Sequence, residues 1–289
     1  VKDKRVKLEV FPVHQSMGMQ GLVFNLRNPH FEDRLVRKAL SLALDFEWLN
    51  RNYLHASYQR TESFFVDPKL SATGKPEGKE LEILMPYKDF LDPDLFSKPI
   101  EKLFDIDKKS MRDELQQARG LLEQAGWEIK DHNLTHIKTG KTMEFEILLV
   151  QPFYEKIVHT YALNLKKLGI KTTIRRVDPT QYEKRTQNHD FGMIIHYWNQ
   201  SYYPGDEQTF YWGSSQSMIK GSKNLAGTAN PVIDHVINLL PRAPDFDTYL
   251  ATTRALDRLL RSGHYVIPLF HPKEHHCAIW DKFGYPTPA

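Results

Sequence analysis

Residues 21–50, GLVFNLRNPHFEDRLVRKALSLALDFEWLN, decide how the rest of the chain is read. The first six are β-branched, apolar or aromatic enough for a strand, and the pattern breaks at Asn28-Pro29. The residue before a proline is pushed out of helical space. Asp33 then stands where a capping carboxylate accepts from the free amides of a first helical turn. Leu35, Ala39, Leu42, Phe46 and Leu49 recur at helical spacing, which predicts one long helix with a wide apolar face, ending near residues 53–56. A buried strand followed by a packed helix is the repeating unit of an α/β protein.

Outward from this unit, an entering strand is expected over residues 6–13, followed by a loop to residue 19. A connecting stretch over 57–79 ends in Gly/Pro/Lys-rich sequence, and a short helical piece follows over 80–85. Residues 110–126 are amphipathic, with Ser110 as cap and Gly126 as terminator. A hairpin is expected from 134–137 and 142–150 around Thr139-Gly140. A helix opening at Pro152 and closing before Gly169 leads to a strand over 170–177. Residues 191–198 are apolar on both faces, as in a sheet covered by helices on each side. Helices are expected over 182–188, 206–211, 232–239 and 246–262, then a closing hairpin from 266–270 and 277–280. The fold class is therefore α/β, a mixed sheet flanked by helices.

The chain has 289 residues, 40% hydrophobic and 26% charged, and could form one large domain or two small ones. Its 39 basic and 36 acidic residues are interspersed for a net charge of +3, without the dense basic face that nucleic acid needs. No apolar run approaches the roughly 20 residues that cross a bilayer. The first residues, VKDKRVKLEVF, lack the apolar core of a signal peptide, so the protein is cytosolic or these residues lie inside a longer precursor. Cys277 is the single cysteine and has no partner for an internal disulfide, which fits either compartment.

Several stretches, in order, carry a family likeness. FNLRNPHFEDRLVRKALSLALD resembles the "FN…PPF.D.RVR.AL..A.D" opening of the C-terminal lobe of family 5 extracellular solute-binding proteins, the peptide receptors of bacterial ABC importers. The stretches LQQARGLLEQAGW, LKKLGIKTTIRRVDPTQYEKR, NHDFGMIIHYWNQSYYPGDEQ and NPVIDHVINLL resemble the family's later motifs. The likeness runs from residue 20 to about 283. SYQRTESFF, WNQSYYPGDEQ and YVIPLFHP look most like the YejA-type subgroup, associated with oligopeptide uptake. The resemblance implies the C-terminal lobe of a type II periplasmic-binding-protein fold. Residues 1–19 would be hinge-proximal, 20–283 the ligand-binding lobe, and 284–289 a tail toward the other lobe. It also implies an exported, periplasmic protein that is not an enzyme, needs no cofactor, and takes a peptide or peptide-like ligand. The partner would be a membrane permease, and the two lobes would close on the ligand by hinge motion.

Candidate contact residues lie first in the loop after the doubly buried strand: Trp198, Asn199, Gln200, Ser201, Tyr202, Tyr203 and Asp206. A loop leaving a strand end in an α/β sheet is the usual binding position, and aromatic faces with amide and hydroxyl handles suit peptides. The plainer alternative is that Trp198 and Tyr202 fill the core. The resemblance puts an amine-binding aspartate where Ser201 stands, leaving Asp206 or Glu207 as substitutes. A second group is Arg60, Ser63, Phe64 and Phe65; the Arg60 fork suits a carboxylate or phosphate, unless it makes a surface ion pair while the phenylalanines anchor a loop. Asn25 and Arg27, at the end of the opening strand, form a third.

HPKEHHC, residues 271–277, offers His271, His275, His276 and Cys277 as metal donors, with His264 nearby. Adjacent His275 and His276 point to opposite faces of an extended segment, and paired ligand spacings are missing. A metal site or metalloenzyme there is the alternative function; the segment otherwise reads as the turn of the closing hairpin. His159 and His196 read as helix-surface and core-edge residues. No G-x-S-x-G, G-x-G-x-x-G, Walker or H-E-x-x-H pattern occurs.

Overall fold

The computed structural model describes residues 5–13, 18–100, 110–282 and 284. In chain order the strands are β1 (Val6–Pro12), β2 (Gln20–Phe24), β3 (Tyr58–Arg60), β4 (Trp127–Lys130), β5 (Asn133–His136), β6 (Glu144–Leu149), β7 (Lys171–Arg176), β8 (Met193–Tyr197), β9 (Val266–Pro268), β10 (Phe270–Pro272) and β11 (Glu274–Trp280). The α-helices are α1 (Arg34–Leu42), α2 (Phe46–Asn52), α3 (Gly78–Leu84), α4 (Asp94–Ser97), α5 (Met111–Gln124), α6 (Glu155–Lys167), α7 (Pro179–Gln187), α8 (Glu207–Trp212), α9 (Pro231–Leu239) and α10 (Phe246–Ser262).

A mixed five-stranded sheet in the order β7-β6-β8-β2-β9 organises the molecule. β6 runs parallel to β7 and β8, while β2 is antiparallel to β8 and β9. Side chains alternate across this sheet. Leu22, Phe24, Ile147, Leu149 and Met193 enter one apolar core; Val23, Leu148 and Ile194 enter the other. Helices cover both faces, which is why these strands read as continuous apolar runs. Gly21 is required where β2 meets β9: a Cβ there would stand 2.2 Å from Val266 Cγ1 and 2.5 Å from the Ile267 carbonyl oxygen.

The expected long helix is two helices. Ala43 caps the end of α1, and the Asp45 carboxylate accepts from the Trp48 amide at 2.9 Å to start α2. Leu44 and Phe46 are buried on either side of the break, so the apolar rhythm continues across the turn. That continuity hid the break.

Two pairings also differ from the sequence reading. The expected hairpin around Thr139-Gly140 is short: Thr135 bridges Thr142 antiparallel, His136 N–H donates to the Lys141 carbonyl at 2.9 Å and Met143 N–H to the Leu134 carbonyl at 2.8 Å. β5 makes its full pairing with β4, and the chain beyond the bridge becomes β6 and joins the main sheet. The closing hairpin does not form: β9 pairs with β2, β10 with β3, and β11 with β1. HPKEHHC is therefore parts of two strands rather than a turn. Most of the expected 284–289 tail, and residues 14–17 of the entering loop, lie outside the described residues.

The stretch from Thr61 to Glu80 is clamped to α10 by buried charge. Asp257 accepts from Ser63 Oγ at 3.0 Å and the Phe64 and Ala72 amides at 2.9 and 3.0 Å; Arg261 Nη1 lies 3.2 Å away. Arg258 binds Glu80 at 2.6 Å and donates to the Gly74 and Thr73 carbonyls at 2.8 and 3.0 Å. Burial raises the Glu80 carboxyl, with the Arg258 bond pulling the other way.

Candidate functional site

Topology selects one edge of the sheet. From β6, the chain passes through α6 to β7 on one side, then through α7 to β8 on the other. The carboxyl ends of β6 and β8 thus form a switch point, where open α/β sheets place ligands. The start of β2 at Gln20 and the end of β9 at Pro268 share that edge.

Two depressions open there. The one over the switch point holds about 260 Å³ and is lined by residues that include Gln20, Tyr154, Tyr182, His196 and Tyr197. The larger, about 710 Å³, lies beyond β9 and is lined by residues that include Glu47, Tyr58, Arg60, Glu62, His271 and Lys273.

Arg60 closes β3 and is half-buried. Burial pushes its guanidinium down to about 10, opposed by Glu114, Glu47 and Glu62. Its backbone is paired with Phe270 in β10, but among the described residues its side chain makes no hydrogen bond or close ion pair, so its fork remains available for an acceptor in the cleft. Beside it, His271 Nδ1 is 3.0 Å from Thr61 Oγ1 and Nε2 is 2.7 Å from Gln59 Nε2. A neutral ring satisfies both contacts by donating from Nδ1 and accepting at Nε2. Burial lowers the His271 pKa, in keeping with that form.

The loop after β8 divides its residues between core and surface. The Trp198 ring is buried, 4.9 Å from Trp212, 6.2 Å from Phe64 and 4.8 Å from His196 between centroids. Gln200 is also buried and accepts from Gln208 at 2.7 Å. Ser201 Oγ donates to the Tyr203 carbonyl at 2.8 Å, a turn contact. Asn199 and Asp206 are exposed, and Tyr202 and Tyr203 are 59% and 70% exposed. Glu207 is committed to the Gly205 amide at 2.9 Å and to Gln208, whereas Asp206 makes no capping bond.

Phe64 and Phe65 are buried, Phe64 edge-on to Trp212 at 5.1 Å, and Ser63 is held by Asp257. Asn25 and Arg27 do not join the site. β2 runs from the carboxyl edge toward the opposite one, so its end at Phe24 carries them away from β8's carboxyl end. There Arg27 donates to the Ser217, Asn224 and Leu225 carbonyls, and Asn25 to those of His189 and Phe191.

On the β1–β11 ribbon, His275 and Cys277 occupy alternate positions facing Phe11 and Glu9, while His276 faces Val10. Among the described residues no three His, Cys, Asp or Glu side chains stand close enough to hold a metal ion. The alternative metal function therefore has no cluster to rest on here.

Sequence reading missed the switch-point depression. Its members come from β2, β6, β8, α7 and the turn before α6, and their only sequence signal was the strand–helix order. His196 sets a pH dependence. Burial first, then Lys223, push its pKa from 6.5 to about 4. Between these values the unfolded chain binds more protons, so stability is full above 6.5 and falls as pH drops toward 4. The contribution is at most about 1.4 kcal/mol per pH unit. Urea midpoints should fall from pH 7 to 4, and His196→Phe should remove up to about 1.4 kcal/mol per pH unit of that slope, buried His264 and the other histidines with lowered pKa keeping the remainder.

Over residues 2–220 the chain matches the family described as bacterial extracellular solute-binding proteins, family 5 Middle. It is 41% identical over 288 residues to the uncharacterized protein y4wM of Sinorhizobium fredii, covering 99% of this chain and 43% of that one. It is 40% identical over 283 residues to the probable peptide-binding protein YejA of Agrobacterium fabrum, covering 97% and 46%. The peptidoglycan-binding protein YepA of Agrobacterium fabrum is 37% identical over 283 residues, covering 96% and 45%. The chain thus spans less than half the length of these relatives. Among solved structures, the oligopeptide-binding protein AppA of Bacillus subtilis, in complex with a nonapeptide, superposes with a TM-score of 0.68 at 21% identity. That match covers 97% of this chain and 50% of AppA. With the family matched across most of its residues and YejA-type relatives along almost all of them, the chain belongs to the family 5 bacterial extracellular solute-binding proteins.

Proposed function

We propose that this chain is one lobe of the substrate-binding component of an ABC importer. It takes oligopeptides or peptide-like compounds, without covalent chemistry, along the carboxyl edge of its sheet. The observation that carries this reading is Arg60: a half-buried guanidinium that feels Glu114, Glu47 and Glu62 but makes no side-chain hydrogen bond or close ion pair among the described residues, in a cleft of about 710 Å³ at that edge. A buried cation is normally paired, and a peptide carboxylate or main-chain carbonyl supplies the missing acceptor. Asn199, Tyr202, Tyr203 and Asp206 remain exposed for further contact, while Trp198, Gln200 and Phe64 shape the floor beneath them.

Names of relatives support the cargo class, since one is called a probable peptide-binding protein and another a peptidoglycan-binding protein. The β1–β11 ribbon supports the two-lobe reading. It turns Leu8, Val10 and Trp280 outward, 62%, 49% and 50% exposed, and a two-stranded ribbon is marginal in water without cover. No helix of the described residues is long and apolar enough to cross a membrane, so a separate membrane permease would carry the cargo onward. In this reading the protein works in the periplasm, with the ribbon as the strap between lobes.

The test is Arg60→Met in the full-length protein, with peptide affinity read by calorimetry. Losing a charged hydrogen bond is worth about 1.5–3 kcal/mol, a ten- to hundredfold drop in affinity. The thermal midpoint should barely move. Unchanged affinity would remove Arg60 from the site and this reading with it.

A further inference from the structure

The smaller depression differs in character from the cleft around Arg60. We propose that it is a side-chain pocket that selects one uncharged aromatic residue of the ligand, and so sets specificity. This rests on the peptide-binding reading above.

Position comes first. The pocket sits between the carboxyl ends of β6 and β8, on the switch point itself, lined by Val150 after one strand and His196 and Tyr197 at the end of the other. Size is the second argument. About 260 Å³ is less than the roughly 300–1,000 Å³ that takes a whole small ligand, and matches a single large side chain.

Lining is the third. Among the described residues no Asp, Glu, Lys or Arg lines this pocket, whereas Glu47, Arg60, Glu62 and Lys273 all line the larger cleft. Tyr154, Tyr182 and Tyr197 supply aromatic walls, which favour offset or edge-on ring contacts. Their polar atoms are largely spent within the fold: Tyr182 Oη donates to the Ile195 carbonyl at 3.0 Å, and Tyr154 Oη accepts from Gln20 Nε2. His196 faces the pocket as a neutral imidazole, since burial and Lys223 hold it uncharged near neutral pH. An ammonium or carboxylate entering this space would lose its hydration and find no opposite charge. A ring would lose only water.

The probe is a set of pentaalanine peptides with a single Phe, Lys or Asp at each position in turn, measured by calorimetry on the full-length protein. At one position Phe should bind about ten- to a hundredfold more tightly than Ala, the worth of burying that side chain. Lys and Asp should bind more weakly than Ala at the same position. Gln20→Glu places a carboxylate in the pocket at almost constant shape, and should invert the order there so that Lys exceeds Phe. Val150→Phe, which fills the space from its rim, should abolish the Phe advantage. A Phe advantage that survives both substitutions, or none at any position, overturns the pocket while leaving peptide binding intact. If no peptide of the set binds, the peptide reading fails and the pocket falls with it.

Discussion

Asp257→Ala is expected to cost about 3–5 kcal/mol of stability, which for a chain of this size is a large share of the total. Asp257 is fully buried, and its two oxygens accept from Ser63 Oγ, the Phe64 amide, the Ala72 amide and Arg261. Alanine leaves a hydroxyl and two amides without this acceptor, each worth about 1–3 kcal/mol, and removes the carboxylate from beside a buried guanidinium. The damage is directional, because the freed segment carries Thr61, Glu62, Ser63 and Phe65, which wall the larger cleft. Asp257→Asn keeps one acceptor oxygen and should cost less. Chemical denaturation with a peptide titration on each variant checks this. Stability and affinity should fall together for alanine, and a loss below about 1 kcal/mol would show that the segment is anchored elsewhere.

How far such features could be read in advance depends on sequence distance. α10 was legible at both ends, 246–262, because Asp245 caps it locally and Gly263 closes it. β2 with the start of α1, and β6 through β8, were legible for the same reason: alternation, spacing and N-caps are encoded within each segment. β3 and β10 were not. Each has three residues, and they find one another across more than two hundred positions, Phe270 opposite Arg60, with no local pattern to announce the pairing. The site inherits this limit. Arg60 was visible as a candidate, but that its side chain has Glu114, Glu47 and Glu62 around it and no close ion pair depends on which carboxylates the fold brings near. Asn25 and Arg27 were misplaced because strand direction decides which edge they reach. Antiparallel pairing of β2 with β8 is a long-range fact.

Trp198 shows where a local reading and the packing disagree most sharply, and the second large expected effect follows from it. Trp198→Ala should cost about 3–5 kcal/mol, because the ring is buried and removing it opens a cavity between Trp212, Phe64 and His196. Weaker peptide binding in that variant would report collapse of the floor under the loop, not loss of a contact. Trp198→Phe separates the two. The indole Nε1 has no hydrogen-bond partner among the described residues, so phenylalanine gives up some packing area but no bond seen in the fold. It should therefore cost much less than alanine and leave affinity within about threefold, a shift of less than about 0.7 kcal/mol. Tyr202→Ala and Tyr203→Ala should do the reverse. Both residues are exposed, so stability should stay within about 0.5 kcal/mol, while affinity falls by about tenfold if their faces meet the ligand. Denaturation midpoints and calorimetric affinities on all four variants decide it. Should Trp198→Phe retain full stability yet lose most of its affinity, the indole would be a direct ligand contact that becomes accessible when the loop moves, and the tyrosines would be its cover.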